Sequence, residues 1–76
     1  MEQITKEQEI EFIKKRNNSI CKKVKAERLR QGLTQHDLAW YINSSQSVVN
    51  SIENNVEYNA KMGTLLKISK VLGVPL

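Results

Sequence analysis

The stretch that decides the fold is TQHDLAWYINSSQSVVNSI, residues 34–52. Thr34, followed three residues later by Asp37, has the form of a capping box and predicts that a helix begins here. The pattern breaks at Asn43 and Ser44, and Ser45 can cap a second helix. The apolar residues at helical spacing on the two sides of this break are Leu38, Ala39, Ile42, Val49 and Ile52. The sequence therefore predicts two short helices joined by a tight turn.

Three more helical segments are predicted around this pair. The first begins at Thr5, which can form a capping box with Gln8. The second follows Asn17-Asn18-Ser19, a triplet that either caps a new helix or lies inside one long helix. The last segment carries Met62, Leu65, Leu66, Ile68 and Leu72. Three glycines and one proline are few for a β-rich fold, so the composition also favours an all-α chain.

Basic residues concentrate between Lys14 and Arg30. Eight of them stand beside a single acid, Glu27, in a chain of 76 residues whose net charge is +4. Such a segment suits a polyanion such as nucleic acid, or an anionic membrane surface, although a solvated helix face has the same composition. Membrane binding is the weaker interpretation because the run lacks a continuous aromatic and leucine face.

Residue types that carry enzymatic or metal chemistry are scarce. The one cysteine, Cys21, cannot form an internal disulfide, and neither it nor the single His36 has zinc-ligand spacing. Without a Gly-rich phosphate loop or a carboxylate pair, we expect no enzyme, metal, cofactor or small-molecule ligand. No signal-peptide region or membrane-length apolar run is visible, so we expect a reduced, cytoplasmic setting. Cys21 is expected to be a partly buried, small apolar residue.

The outer face of the second short helix is polar but uncharged. It carries Gln46, Ser47, Asn50 and Ser51. A solvated helix face usually displays Lys and Glu, whereas amides and hydroxyls are the groups that read base edges in the major groove. This face therefore favours DNA recognition, and the competing interpretation is an ordinary capped polar surface.

Four stretches carry a family resemblance. They are VKAERLRQGLTQ at 24–35, DLA at 37–39, IENN at 52–55 and LLKISKVLGV at 65–74. In this order and spacing they resemble the phage repressor and Cro (Xre-type) helix-turn-helix family, over about residues 20–74. The resemblance implies an all-α, lambda-repressor-like helix-turn-helix bundle of four to five helices. It also implies a DNA-binding domain over 18–76 and leaves 1–17 as an N-terminal helical extension.

The resemblance assigns expected roles to individual residues. The positions that match the base readers are Gln46, Ser47 and Ser51, with Asn50 as a neighbour that could take part. The positions that match the phosphate contacts are Thr34, Gln35, Asn54, Asn55 and Lys61. The helix that begins after Ser45 contains no Lys or Arg, so we expect Lys22 and Lys25 to add to phosphate binding. Arg28 and Glu53 match a structural ion pair of the family.

The implied function is sequence-specific binding of double-stranded DNA by a transcriptional regulator. We expect a repressor that acts as a homodimer on a palindromic operator, with a phage, prophage or mobile-element origin. The alternative is a protein–protein interaction module, antitoxin-like or a co-regulator, built on the same helical fold. Asn43 stands where the family usually has the turn glycine, and Asn can adopt the left-handed conformation that the turn requires.

Two features lie outside the family pattern. Trp40 and Tyr41 are adjacent where the family mostly has polar residues, and an exposed Trp40 would suggest a protein partner. We expect Trp40 instead to pack on the N-terminal helix through Ile10 or Phe12. The family often has a fifth helix after the Gly-Val that is 73–74 here, and this chain stops at Leu76. The segment from Thr5 to Arg16 is therefore expected to cover the exposed core or to form a dimer contact.

Overall fold

The computed structural model describes residues 3–76, and this part of the chain forms four α-helices. They are α1 (Lys6–Arg30), α2 (Gln35–Tyr41), α3 (Gln46–Asn54) and α4 (Met62–Leu72). No strand occurs within the described range. The all-α helix-turn-helix fold predicted from the sequence is confirmed, with α2 and α3 as the two short helices joined by a tight turn.

Helix α1 is a single long helix. Thr5 caps it in the predicted box, accepting from the Gln8 amide at 3.1 Å while the Gln8 side chain accepts from the Thr5 amide at 3.0 Å. The triplet 17–19 lies inside the helix, so the expected division between residues 17 and 18 falls within α1. The buried residues of the helix are Asn17, Cys21, Val24 and Arg28. Because these recur every three or four residues, one helical face stays buried across the triplet and no break is required.

The core lies where α3 packs against both α1 and α2, with α4 closing one side. Its buried apolar residues are Val24, Leu38, Ala39, Ile42, Val49, Ile52, Ile68 and Leu72. The five inward-facing residues predicted for α2 and α3 are all among them, which confirms the predicted apolar faces. Ala39 is only 2% exposed, and its small side chain suits the close packing of α2 within this core.

The turn between α2 and α3 is set by Asn43, whose φ of 54° is the only positive value at a non-glycine residue in the described range. This left-handed conformation reverses the chain and lets the Ser44 amide donate to the Ala39 carbonyl at 2.9 Å. The Ser45 hydroxyl then accepts from the Val48 amide at 3.2 Å and caps α3. The prediction that Asn replaces the turn glycine without loss of the turn is confirmed.

The prediction that Trp40 packs on the N-terminal helix is wrong. Trp40 is 74% exposed and contacts the Tyr41 ring edge-on, with 5.2 Å between ring centroids. Its expected partners Ile10 and Phe12 are exposed as well. The physical reason is length, because 25 residues of helix span about 37 Å. The domain measures 45 × 21 × 19 Å, so the first turns of α1 extend past the bundle instead of folding over α2.

The start of α2 makes folding sensitive to acid. The Asp37 carboxylate accepts from the Thr34 amide at 2.8 Å, and this hydrogen bond holds the pKa of Asp37 below its usual value. A lowered folded-state pKa means that the stabilisation is present above about pH 4 and is lost as the pH falls through the folded pKa. We expect the free energy of unfolding to fall more steeply between about pH 5 and pH 2 in the wild type than in Asp37→Asn. Urea unfolding followed by circular dichroism measures both profiles, and parallel profiles would contradict the expectation.

Candidate nucleic-acid interface

The outward face of α3 carries no charged side chain. Val49, Ile52 and Glu53 are the buried residues of this helix, and Glu53 is its only charged one. The residues that face away from the core are Gln46, Ser47, Asn50, Ser51 and Asn54. Four of them are exposed and Ser51 is partly exposed, so the four predicted base readers lie together on one accessible surface.

A buried ion pair fixes the C-terminal half of α3 to α1. The Arg28 guanidinium donates to Glu53 through Nε at 2.7 Å and through Nη2 at 2.9 Å. The remaining Nη1 donates to the Leu33 carbonyl at 2.7 Å, so one side chain joins α1, the following loop and α3. Hydrogen bonding to the Glu53 carboxylate raises the pKa of Arg28, which stays charged at every physiological pH. This geometry restrains the polar face of α3 relative to the rest of the bundle.

Cys21 of α1 also binds the C-terminal half of α3. Its thiol donates to the Ile52 carbonyl at 2.7 Å, and the residue is only 6% exposed. Burial raises the pKa of Cys21, so the thiol keeps the proton that it donates. The expectation of a partly buried apolar residue understated this role, because the side chain is buried and hydrogen-bonded to the backbone of α3.

A chain of side-chain amides crosses from α2 to α3. The Gln35 amide donates to Asn50 Oδ1 and to Glu53 Oε1, both at 3.4 Å. Asn54 Nδ2 donates to the same Asn50 Oδ1 at 2.7 Å. The Asn50 side-chain oxygen is therefore engaged within the protein, while the exposed residue keeps its side-chain nitrogen as a donor that makes no hydrogen bond within residues 3–76. Gln46 is exposed, and its side chain makes no hydrogen bond within residues 3–76, so both ends of its amide are accessible.

The other residues predicted to contact phosphate differ in which of their donors are already hydrogen-bonded within the protein. Thr34 Oγ1 accepts from the Asp37 amide at 3.0 Å, which leaves the hydroxyl hydrogen to donate. The Asn55 amide N–H already donates to the Ser51 carbonyl at 3.0 Å, and its Oδ1 accepts from Glu57. A donor from Asn55 to phosphate is thus limited to its side-chain nitrogen. Lys61 is exposed directly before the first turn of α4.

This arrangement matches a known family. The sequence model described as helix-turn-helix matches residues 24–76, which is more than half of the chain. The chain belongs to the helix-turn-helix family. Its type is that of the phage repressor and Cro (Xre) proteins, a DNA-binding regulatory family and not an enzymatic one. No curated protein and no solved structure matches the chain in the corresponding comparisons.

In this helix-turn-helix protein, α2 and α3 are the motif and α1 supplies most of the positive charge. Three of the eight basic residues between 14 and 30 form ion pairs, Lys14 with Glu57, Arg28 with Glu53 and Arg30 with Glu27. The five that form no ion pair within residues 3–76 are Lys15, Arg16, Lys22, Lys23 and Lys25. Lys22 and Lys25 lie three residues apart on one flank of α1, which makes them a compact pair of accessible charges.

One positioning residue was missed in the sequence. Asn17 is 5% exposed, and its amide donates to the Val56 carbonyl at 2.8 Å, the Tyr58 carbonyl at 3.3 Å and Asn59 Oδ1 at 3.1 Å. It therefore fixes the loop between α3 and α4, which leads to Lys61. The available signal was its spacing, because Asn17 continues the buried stripe of α1 four residues before Cys21.

Two further features of the described residues bear on function. None of the helices within residues 3–76 is both long and apolar enough to cross a membrane. The same part of the chain contains no group of three or more His, Cys, Asp or Glu side chains arranged to hold a metal ion.

Removal of the predicted phosphate-binding lysines should weaken the salt dependence of DNA binding. We expect Lys22→Ala/Lys25→Ala/Lys61→Ala to reduce the slope of log K against log salt by about 0.9 for each phosphate that is no longer neutralised. The matched control is Lys15→Ala/Lys67→Ala/Lys70→Ala, which removes the same charge from other exposed positions. Fluorescence anisotropy at several salt concentrations measures the slope. An equal change in both triple variants would show that only net charge matters.

Proposed function

We propose that the protein is a sequence-specific regulator of transcription that binds double-stranded DNA with α3 in the major groove. The observation that carries the proposal is the uncharged, accessible face of α3, held by the buried Arg28–Glu53 pair. Base edges are read by hydrogen bonds that require defined positions, and a restrained helix reduces the entropy lost on binding. Gln46, Ser47, Asn50 and Ser51 are the proposed readers.

The proposed readers differ in what they can offer a base. Both ends of the Gln46 amide are accessible, so it can pair bidentately with adenine N6 and N7. Asn50 keeps its oxygen bonded to Asn54, so we propose that it donates through nitrogen to an acceptor such as a guanine or adenine N7. Ser47 and Ser51 can donate or accept at any base edge.

Phosphate contacts position the motif and supply most of the affinity that is independent of sequence. We propose that Thr34 and Gln35 bind the backbone at the start of α2. The remaining proposed contacts are Asn54, Asn55, Lys61, Lys25 and Lys22. In this arrangement the uncharged outward face of α3 reads sequence. Helix α1 and the segments before α2 and before α4 supply the attraction to the backbone.

One copy covers only a few base pairs, so we propose that a homodimer binds a palindromic operator with half-sites about one helical turn apart. Repression by occlusion of the promoter is the simplest output for a DNA-binding domain over 18–76 with an extension at 1–17. We further propose a cytoplasmic protein of phage or mobile-element origin, without a small-molecule effector.

The proposed dimeric binding is tested by the stoichiometry of the complex. Protein is titrated into a palindromic duplex and into a duplex with one half-site, both derived from in vitro selection. Sedimentation velocity then gives the mass of each complex. We expect two copies to bind the palindrome cooperatively and a single copy to bind the half-site at least about tenfold more weakly. Independent, equal binding to both half-sites would contradict the dimeric operator complex.

The proposed direction of regulation is tested by run-off transcription. The selected site is placed either across the promoter or far upstream of it on otherwise identical templates. We expect added protein to reduce transcript from the first template only. Increased transcript from the upstream template would replace repression with activation.

A specific observation favours a second candidate function, recognition of a protein partner through α2. Trp40 is 74% exposed and Tyr41 56% exposed, and they form one aromatic surface at the C-terminal end of α2. Aromatic residues are enriched in the centres of protein interfaces. If this candidate is correct, Trp40→Ala should leave DNA affinity unchanged and abolish regulation in cells, measured with a reporter.

A further inference from the structure

The N-terminal turns of α1 form an exposed, acidic and apolar arm, here residues 4–13. Ile4 is 74% exposed, Phe12 70% and Ile10 51%. The acids of the arm are Glu7, Glu9 and Glu11, against one base, Lys6. Exposed large apolar side chains on a projecting helix mark a contact surface. The arm therefore presents exposed apolar and negative groups, and Ile13, its last residue, is the one that is partly covered.

A groove between α1 and α4 has the opposite charge. It is about 400 Å³ in volume, and its apolar lining consists of Ile20, Met62, Leu65, Leu66 and Leu76. Arg16 and Lys23 line the same groove, and no acidic residue does. None of the proposed DNA-contacting residues lines it, so an occupant of the groove would leave the DNA-binding face free.

We propose that the occupant is the arm of a second copy, exchanged reciprocally across a two-fold axis near Arg16. Residues seven apart on a helix lie within about 20° of each other, so Glu9, Arg16 and Lys23 lie on one side of α1. In an antiparallel crossing of two α1 helices centred on Arg16, Glu9 of each copy meets Lys23 of the other. Phe12 and Ile20, each four residues from the centre, meet in the same way.

This arrangement satisfies the requirements of a closed dimer. The contact is isologous, since the same arm and the same groove are used on both copies, and no free arm or groove remains. Phe12 is placed among the groove's aliphatic side chains, and Glu9 of the arm lies against Lys23 at the basic edge of the groove. The two Arg16 side chains repel each other at the axis. The inference rests on the dimer of the proposed function and identifies its interface.

The experiment is sedimentation equilibrium of the intact protein without DNA, up to about millimolar concentration. We expect a reversible dimer whose dissociation constant rises about tenfold or more in Phe12→Ala, in Glu9→Lys and in Lys23→Glu. The double variant Glu9→Lys/Lys23→Glu should restore dimerisation because the pair is reversed but intact. Arg16→Gln should tighten the dimer. Glu11→Lys and Lys22→Glu change residues on the other side of α1 and are the matched controls. They should leave the dissociation constant of the dimer unchanged.

A wild type that is monomeric throughout this range would overturn the interface. So would a dimer that the three single variants leave unchanged, or a double variant that fails to recover. Failure of the interface is distinguishable from failure of the proposed function. A protein that is monomeric alone yet binds a palindrome in pairs would contradict the proposed interface but support the proposed function. A dimer with the expected variant pattern but no preferred DNA sequence would support the interface and contradict the function.

Discussion

Glu53→Ala is expected to destabilise the protein by about 3–5 kcal/mol, because it leaves the Arg28 charge buried without its partner. The Glu53 side chain is 0% exposed and that of Arg28 is 8% exposed, so water cannot replace the missing carboxylate without local opening. Total stabilities of small domains begin at about 5 kcal/mol, so for a domain at that lower bound the unfolded fraction of the variant should rise to between a few per cent and about half at ambient temperature. Urea unfolding followed by circular dichroism measures the destabilisation.

Two further variants separate the buried charge from removal of the side chain itself. Arg28→Met/Glu53→Leu removes both charges and should recover most of the stability, although the Leu33 carbonyl loses the donor that Arg28 provides at 2.7 Å. Glu27→Ala breaks the exposed pair with Arg30 on the same helix and should have little effect. A Glu53→Ala variant as stable as Glu27→Ala would contradict the structural importance of the buried pair.

Gln46→Ala/Ser47→Ala/Ser51→Ala is expected to lower affinity for the selected operator roughly a hundredfold or more. A bidentate Gln–adenine pair discriminates by about 1–3 kcal/mol, and each serine adds a single hydrogen bond of about 1 kcal/mol. Affinity for a scrambled duplex should be unchanged, because the variant removes no charge. Fluorescence anisotropy on the two duplexes at one salt concentration gives both values.

The control for this triple variant removes an exposed polar group elsewhere. Asn18→Ala changes an exposed residue of α1 that does not line the groove between α1 and α4, and it should leave both affinities unchanged. The triple variant should also keep the wild-type unfolding midpoint, since Gln46 and Ser47 are exposed and Ser51 is partly exposed. Equal losses on the selected and the scrambled duplex would show that the face of α3 does not read sequence.

Local chemistry explains why the motif could be predicted from the sequence. Thr34 and Asp37 specify the start of α2 through hydrogen bonds three residues apart, and Asn43 specifies the turn through its tolerance of positive φ. The apolar faces of α2 and α3 follow from helical spacing alone. These signals act within a few residues of one another, so they are visible without knowledge of the rest of the fold.

The features that the sequence left open depend on distant contacts. Asn and Ser are weak helix formers, so the triplet at 17–19 is ambiguous in the sequence. The hydrogen bonds of Asn17 to the loop between α3 and α4, which stabilise the continuous helix, depend on residues about forty positions away. Trp40 was assigned to the wrong environment because an apolar side chain carries no information about which element reaches it. The engagement of Asn50 by Asn54 likewise depends on side-chain orientation, which no sequence spacing specifies.

Selection from a random duplex library at about physiological salt is the decisive test of sequence-specific binding. The wild type is run beside Gln46→Ala/Ser47→Ala/Ser51→Ala, with both proteins shown to be folded by circular dichroism. We expect the wild type to enrich a palindrome with an adenine in each half-site and the variant to enrich none. A folded wild type that enriches no sequence would contradict base reading by α3 and would favour recognition of a protein partner through Trp40.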